Sequence, residues 1–126
     1  MALKDGINFL GTVYGVKTDT ASTDAASIDI PAGKYIITDV VVYNAQGGSS
    51  ASATLSVRGG AGGTGTIVVA DAALTGHTGP TVVSKRTLAA TATTPVITDD
   101  SQYIRIGTAS GVAGTTVDVR IFGYSL

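Results

Sequence analysis

The chain has 126 residues, a net charge of −1, only 13% charged residues and no Cys. This length fits one domain. The lack of Cys excludes disulfides and thiolate metal sites, and the low charge argues against nucleic-acid binding, which needs a basic excess to neutralise phosphates. We therefore predict a single domain over residues 1–126 that needs no cofactor.

The N-terminal residues contain no recognisable targeting segment. Residues 1–6 lack the long apolar stretch of a signal peptide. Apolar runs such as residues 40–42 are far too short to cross a bilayer. We expect the chain to be made in the cytoplasm and to have no membrane partner.

Short segments rich in Val, Ile and Thr alternate with turns rich in Gly and Ser, and these three residue types favour strands. In chain order, we predict strands over residues 7–16, 26–30, 35–44, 53–58, 66–70, 81–88, 95–98, 102–106 and 115–124. Turn signals recur every 8–12 residues or so, a spacing typical of a sandwich or barrel. The prediction is an all-β, antiparallel β-sandwich. The strand count favours a jelly roll, and an immunoglobulin-like sandwich is the alternative.

Two of the predicted strands differ in their patterning. The longest is apolar on both faces, and strict alternation places Tyr35, Ile37, Val41 and Tyr43 on one side and Ile36, Val40 and Val42 on the other. Such a strand is usually central or covered on its second face. The last strand instead alternates, with Val117, Val119 and Ile121 inward and Asp118, Arg120, Phe122 and Tyr124 outward.

His77 is the only histidine, and it lies in a glycine-containing loop. A Ser-His-Asp triad would have to use this residue, together with a rigid nucleophile and a buried carboxylate. The chain has no Gly-x-Ser-x-Gly motif to provide such a nucleophile. We interpret His77 as a solvated loop residue and predict that the protein is not an enzyme.

Two other stretches suggest a binding site without meeting its requirements. The glycine-rich loop over residues 59–65 is followed by a strand, whereas a phosphate loop needs a Gly-Lys-Ser/Thr ending and a helix. We interpret it as a hairpin connection. Asp99 and Asp100 could supply oxygen ligands to calcium, which takes six to eight, but no spaced acidic pattern surrounds them. We interpret this pair as a solvated turn and predict no metal.

Two stretches resemble small virion proteins of tailed bacteriophages. Residues 30–44 (IPAGKYIITDVVVYN) are similar to one segment of those proteins, and residues 103–107 and 116–124 are similar to their closing strands. Proteins of this kind are often capsid decoration, or cement, proteins. The resemblance implies a jelly-roll or related sandwich on the outside of an icosahedral capsid. It also implies a homo-oligomer, dimer or trimer, whose partner is the major capsid protein.

Candidate contact residues lie near both ends of the chain. Residues 1–9 are predicted either as an arm that reaches a neighbour or as the start of the first strand, and they contain Leu3, Lys4, Ile7 and Phe9. The outward side of the last strand adds Arg120, Phe122 and Tyr124, because aromatic residues and Arg are enriched at interface hot spots. The competing hypothesis is a receptor- or glycan-binding module of a phage tail or fibre. The small number of aromatic residues in the predicted loops counts against it.

Overall fold

The computed structural model describes residues 8–30, 33–89 and 96–126. Its strands are Asn8–Lys17 (β1), Thr23–Asp29 (β2), Tyr35–Gln46 (β3), Thr54–Gly60 (β4), Thr64–Ala73 (β5), Val83–Lys85 (β6), Ser101–Ile106 (β7) and Thr116–Ser125 (β8). Within these ranges the only helical element is a 3-10 turn, Ala61–Gly63. Among the described residues, no helix has the length and apolar character needed to cross a membrane.

The strands form two antiparallel sheets of four strands each, which confirms the predicted β-sandwich. Sheet 1 has the order β1-β8-β3-β6, and sheet 2 has the order β2-β7-β4-β5. Among the described strands, only β4 and β5 are consecutive in the chain and lie in the same sheet. Each of the other steps from one described strand to the next changes sheet. Two predicted strands are shorter than expected: residues 81–88 contribute only β6, and the described part of residues 95–98 contributes a single bridge from Ile97 to Tyr35.

The hydrophobic core lies between the sheets and is built from alternate residues of each strand. Val117, Val119 and Ile121 of β8 are fully buried there, as the alternation predicts. The facing strands of sheet 2 contribute Leu55, Val57, Ile104 and Ile106, which are also fully buried. Each such side chain stabilises the fold by about 1.5–3 kcal/mol relative to exposure.

A β-bulge in β3 changes the expected sides of that strand. Ile37 pairs with Gly123 and Asp39 with Phe122, so Thr38 is an extra residue without an opposite partner. The alternation therefore shifts by one, and the prediction for the second half of β3 is wrong. Val40 and Val42 join Tyr35 and Ile37 in the core, while Val41 and Tyr43 lie on the outward side with Ile36.

One end of the sandwich contains a buried chain of hydroxyl groups. Thr18 Oγ1 lies 2.8 Å from Ser50 Oγ and donates to Thr115 Oγ1 at 2.7 Å. Ser110 Oγ lies 2.7 Å from the same Thr115 oxygen. These four residues belong to the connections after β1, β3 and β7. Each of these four hydroxyl groups is hydrogen-bonded, as buried polar groups usually are. Their hydrogen bonds connect the three loops.

Candidate functional site

The outward side of sheet 1 carries a continuous surface rich in aromatic and aliphatic side chains, which we call the aromatic face. Strand register places these residues on it: Phe9, Thr12, Ile36, Asp39, Val41, Tyr43, Val83, Lys85, Asp118, Arg120, Phe122 and Tyr124. Phe9 is 58% exposed and Val83 is 66% exposed. The other aromatic side chains of the face are half-buried. Exposed apolar surface of this kind is typical of an interaction site.

Arg120 lies at the centre of the aromatic face, between two rings. Its guanidinium carbon is 5.7 Å from the centroid of the Phe9 ring and 5.3 Å from that of Tyr43. Its Nε donates to Thr12 Oγ1 at 3.1 Å, and a terminal nitrogen donates to the Tyr43 hydroxyl at 3.2 Å. Phe9 also meets Phe122 edge to face, with the ring centroids 6.2 Å apart. Cation–π contacts at exposed positions contribute about 0.5–1 kcal/mol each.

Beside this cluster, the face contains a shallow depression of about 330 Å³ lined by Asp39, Val41, Lys85 and Phe122. The Lys85 ammonium lies 2.9 Å from a carboxylate oxygen of Asp39. The Lys85 side chain is 74% exposed, so this ion pair contributes little stability. The depression therefore combines an apolar floor with one accessible cation.

Four of the residues predicted at an interface lie on the aromatic face. Phe9 comes from β1, and Arg120, Phe122 and Tyr124 come from β8, which pairs with β1 along its length. Asn8 and Phe9, the last two residues of the segment considered as an arm, belong to β1 and pair with Gly123 and Phe122. The other three candidates, Leu3, Lys4 and Ile7, lie outside the described residues.

The sequence did not identify the part of the face contributed by β3 and β6. Strict alternation assigns Val41 and Tyr43 to the same side as Tyr35, and the bulge at Thr38 reverses that assignment. Lys85 reaches the face because β6 pairs with Val41–Tyr43 of β3, as Val41↔Lys85 and Tyr43↔Val83. In the sequence, only the apolar character of both sides of β3 indicated that its outward side also takes part in contacts.

The outward side of sheet 2 is different, because the residues that β2, β7 and β4 place on it are mostly polar. Strand register places Asp24, Ser27, Asp29, Ser101, Tyr103, Arg105, Ser56 and Arg58 on it. Arg105 forms an ion pair with Asp24 at 3.2 Å, and Asp24 also accepts a hydrogen bond from the Gly62 amide at 2.7 Å. Its charges are therefore largely satisfied within the chain. The two outward sides of the sandwich therefore differ, one being rich in aromatic side chains and the other mostly polar.

His77 is fully buried, so the prediction of a solvated loop residue is wrong. Its Nε2 lies 2.6 Å from Ser84 Oγ of β6, and its backbone binds Leu74 and Ser50. The loop folds back onto the edge of sheet 1 and carries the imidazole inside. Its Nδ1 has no hydrogen-bond partner among the described residues, so no described carboxylate orients the ring as a catalytic triad requires.

We expect His77 to make stability depend on pH in the weakly acidic range. Burial lowers the pKa of His77, and the nearby Arg86 charge lowers it further. As the pH falls through about 6.5, the His77 imidazole of the unfolded chain therefore gains a proton, whereas the buried imidazole of the folded chain stays neutral until a lower pH. Stability is greatest above that pH and falls as the pH drops toward the folded pKa. Urea denaturation at successive pH values checks this.

The matched variant for this pH series is His77→Gln, whose amide can bond Ser84 but cannot gain a proton. We expect it to lose the part of the pH dependence that begins below about pH 6.5. An identical slope for both proteins in this range would contradict the assignment to His77.

The other two stretches considered as binding sites have structural roles. Residues 59–65 form a hairpin connection, as predicted: β4 ends at Gly60, the 3-10 turn follows, and β5 begins at Thr64. Asp99 accepts a hydrogen bond on its carbonyl from the Tyr35 hydroxyl at 2.7 Å. Within the described ranges, no group of three or more His, Cys, Asp or Glu residues is arranged to hold a metal ion.

No family model matches the chain, and searches among curated proteins and among solved structures found no match either. The fold and the site define a single β-sandwich with one outward face that is aromatic and partly cationic.

Proposed function

We propose that this protein is a structural virion protein that decorates the outside of a phage capsid, binding through the aromatic face. The observation that carries the proposal is the contrast between the two outward sides of the sandwich. One side exposes Phe9 and Val83 around a stacked arginine, while the other is polar. A patch of this kind is typical of a protein that functions by binding another protein.

The strand order supports a jelly roll over an immunoglobulin-like sandwich. A jelly roll has eight strands in two sheets, and an immunoglobulin sandwich has seven or nine. Here eight strands form the orders β1-β8-β3-β6 and β2-β7-β4-β5, and consecutive strands almost always lie in different sheets. The resemblance to phage decoration proteins implies a jelly roll or a related sandwich, and this strand order is consistent with that expectation.

The proposed mechanism is mechanical and involves no reaction. A decoration protein made in the host cytoplasm binds the assembled shell and bridges neighbouring copies of the major capsid protein. Bridging converts weak single contacts into strong binding through avidity. A ligand that binds only the assembled shell also stabilises it by mass action. A symmetric dimer or trimer would match the symmetry of the capsid.

We expect Phe9→Ser and Phe122→Ser to weaken shell binding about tenfold or more, because interface aromatics are frequent hot spots. Phe122 is half-buried and contacts Phe9, so each variant is first checked for an unchanged melting temperature. The matched control is Tyr103→Ser, which removes an aromatic ring from the opposite side of the sandwich. Co-sedimentation with capsid shells lacking the protein gives the occupancy directly.

Equal occupancy for the two phenylalanine variants and the wild type would exclude the aromatic face as the docking surface.

The copy number of the protein in the virion tests where in the virion the protein lies. A number comparable to that of the major capsid protein indicates shell decoration. A small number, together with glycan binding that Phe9→Ser abolishes, would instead support the receptor- or glycan-binding alternative.

A further inference from the structure

The carboxylates of the aromatic face are withdrawn from solvent. Asp118 is only 7% exposed, and its two oxygens accept hydrogen bonds from the Gly15 amide and the Asn44 side chain, each at 2.9 Å. The Asp39 side chain is 11% exposed and is held by Lys85. A partner approaching this face therefore meets little negative charge.

The cations of the face remain accessible. The Lys85 side chain is largely exposed, although it touches Asp39. Arg120 contacts rings and hydroxyl groups, and within the described ranges it has no carboxylate within ion-pair distance. A guanidinium has five N–H donors, and the Thr12 and Tyr43 hydroxyls occupy only two of those on Arg120.

The remaining described acidic residues lie away from this face. They are found in β2, in β5 and in the connections before β2 and β7, namely Asp19, Asp24, Asp29, Asp71, Asp99 and Asp100. The chain as a whole carries a net charge of −1. The aromatic face carries two cations, Lys85 and Arg120, and two carboxylates, Asp39 and Asp118, so its formal charge is zero. Because both carboxylates are largely withdrawn from solvent, the charge that a partner can reach on this face is mainly positive.

The two cations have a defined spacing. Val41 of β3 pairs with Arg120 of β8 on one side and with Lys85 of β6 on the other. The three residues therefore form one row across the sheet. Adjacent strands are about 4.8 Å apart, so the backbones of Arg120 and Lys85 are separated by roughly 10 Å with an apolar side chain between them.

We propose that the aromatic face binds an acidic, apolar protein segment in which two carboxylates lie roughly 10 Å apart on either side of an apolar side chain. One carboxylate binds the free donors of Arg120, since Arg and carboxylate pair in a bidentate geometry. The second carboxylate binds Lys85, and the apolar side chain packs on Val41 and Phe122. This inference rests on the proposed function, because the acidic segment would belong to the capsid surface that the protein binds.

A nucleic-acid strand is a poorer fit to the same face. Binding such a strand requires neutralising several successive phosphates, whereas this row offers two cations. The short row matches a pair of carboxylates. A thymidine oligonucleotide therefore serves as a competing probe in the test.

The test uses a synthetic helical peptide in which Glu recurs every seven residues with Leu midway on the same face, so that successive carboxylates are about 10 Å apart with an apolar side chain between them. The peptide is titrated into the full chain, and binding is followed by NMR shifts or calorimetry. We expect binding that weakens as salt is raised, with the largest shifts at Arg120, Val41 and Lys85. Lys85→Glu and Arg120→Gln should each weaken binding about tenfold or more. Arg58→Gln, which changes a cation on the outward side of sheet 2, should not. The same peptide with Lys in place of each Glu should not bind.

Several results would overturn the inference. One is that Lys85→Glu binds the acidic peptide as tightly as the wild type. Another is that the oligonucleotide binds more tightly than the acidic peptide. A third is that the acidic peptide binds only after residues 1–6 have been deleted. The Lys85 variant is first checked for an unchanged melting temperature, because it leaves the 11% exposed Asp39 carboxylate without its cation. Shell binding without peptide binding would overturn this inference and leave the proposed function standing. Peptide binding without shell binding would overturn the proposed function and leave the acidic-segment specificity of the face standing.

Discussion

Replacing Gly123 with Ala is expected to destabilise the protein by about 3 kcal/mol. Gly123 lies in β8 between β1 and β3. A Cβ atom at this position would overlap the carbonyl oxygen of Ile36 and lie 2.9 Å from the Leu10 Cδ1 atom. The Ile36 carbonyl belongs to the backbone of the neighbouring strand, so relief requires the two central strands of sheet 1 to separate. For a domain of this size, we expect the melting temperature to fall by roughly 10 °C or more.

Gly79→Ala is the matched control for this effect. A Cβ atom at Gly79 would meet no heavy atom within 4 Å, and the backbone there does not adopt a positive φ. Its stability should lie within about 0.5 kcal/mol of the wild type. If Gly123→Ala melted at the same temperature as this control, the close approach of β3 and β8 would have to be different from that described.

Replacing Tyr35 with Phe is expected to cost about 2 kcal/mol, although only one oxygen atom is removed. Tyr35 is fully buried, and its hydroxyl donates to the Asp99 carbonyl at 2.7 Å. The same hydroxyl accepts a hydrogen bond from the Gln102 side-chain nitrogen at 2.9 Å. Without the hydroxyl, both partners lose a hydrogen bond in the interior. Urea denaturation monitored by circular dichroism measures the loss.

A second substitution tests the cause of that loss. Gln102 is fully buried, and its side-chain oxygen has no hydrogen-bond partner among the described residues. Replacing both partners by apolar side chains removes the unsatisfied amide, so Tyr35→Phe/Gln102→Leu should be more stable than Tyr35→Phe alone. If the losses of the two single variants simply add, the hydroxyl and the amide do not interact as the structure indicates.

Local patterning was sufficient to predict the fold class and much of the core. β8 alternates without interruption in its central part, so Val119 and Ile121 could be assigned inward from the sequence. β3 could not be treated in this way, because the extra residue Thr38 has no distinctive side chain that marks a bulge. The burial of His77 was also missed, since it depends on the contact with Ser84 in a different element.

The candidate site could be predicted only in part, for a related reason. Arg120 and Phe122 were identified because they lie on the outward side of one strand. Their contacts with Phe9 and Tyr43 depend on which strands are neighbours, and strand order is not encoded in local periodicity. Lys85 belongs to a strand of only three residues, too short for its alternation to indicate a side.

The position of Arg120 between the rings of Phe9 and Tyr43 affects how fast a complex would dissociate. A long side chain that moves freely loses about 0.5–1.5 kcal/mol of rotamer entropy when it is immobilised at an interface. For Arg120, most of that entropy is lost when the domain folds. More of the contact energy then remains to hold a bound partner, which favours a long residence time.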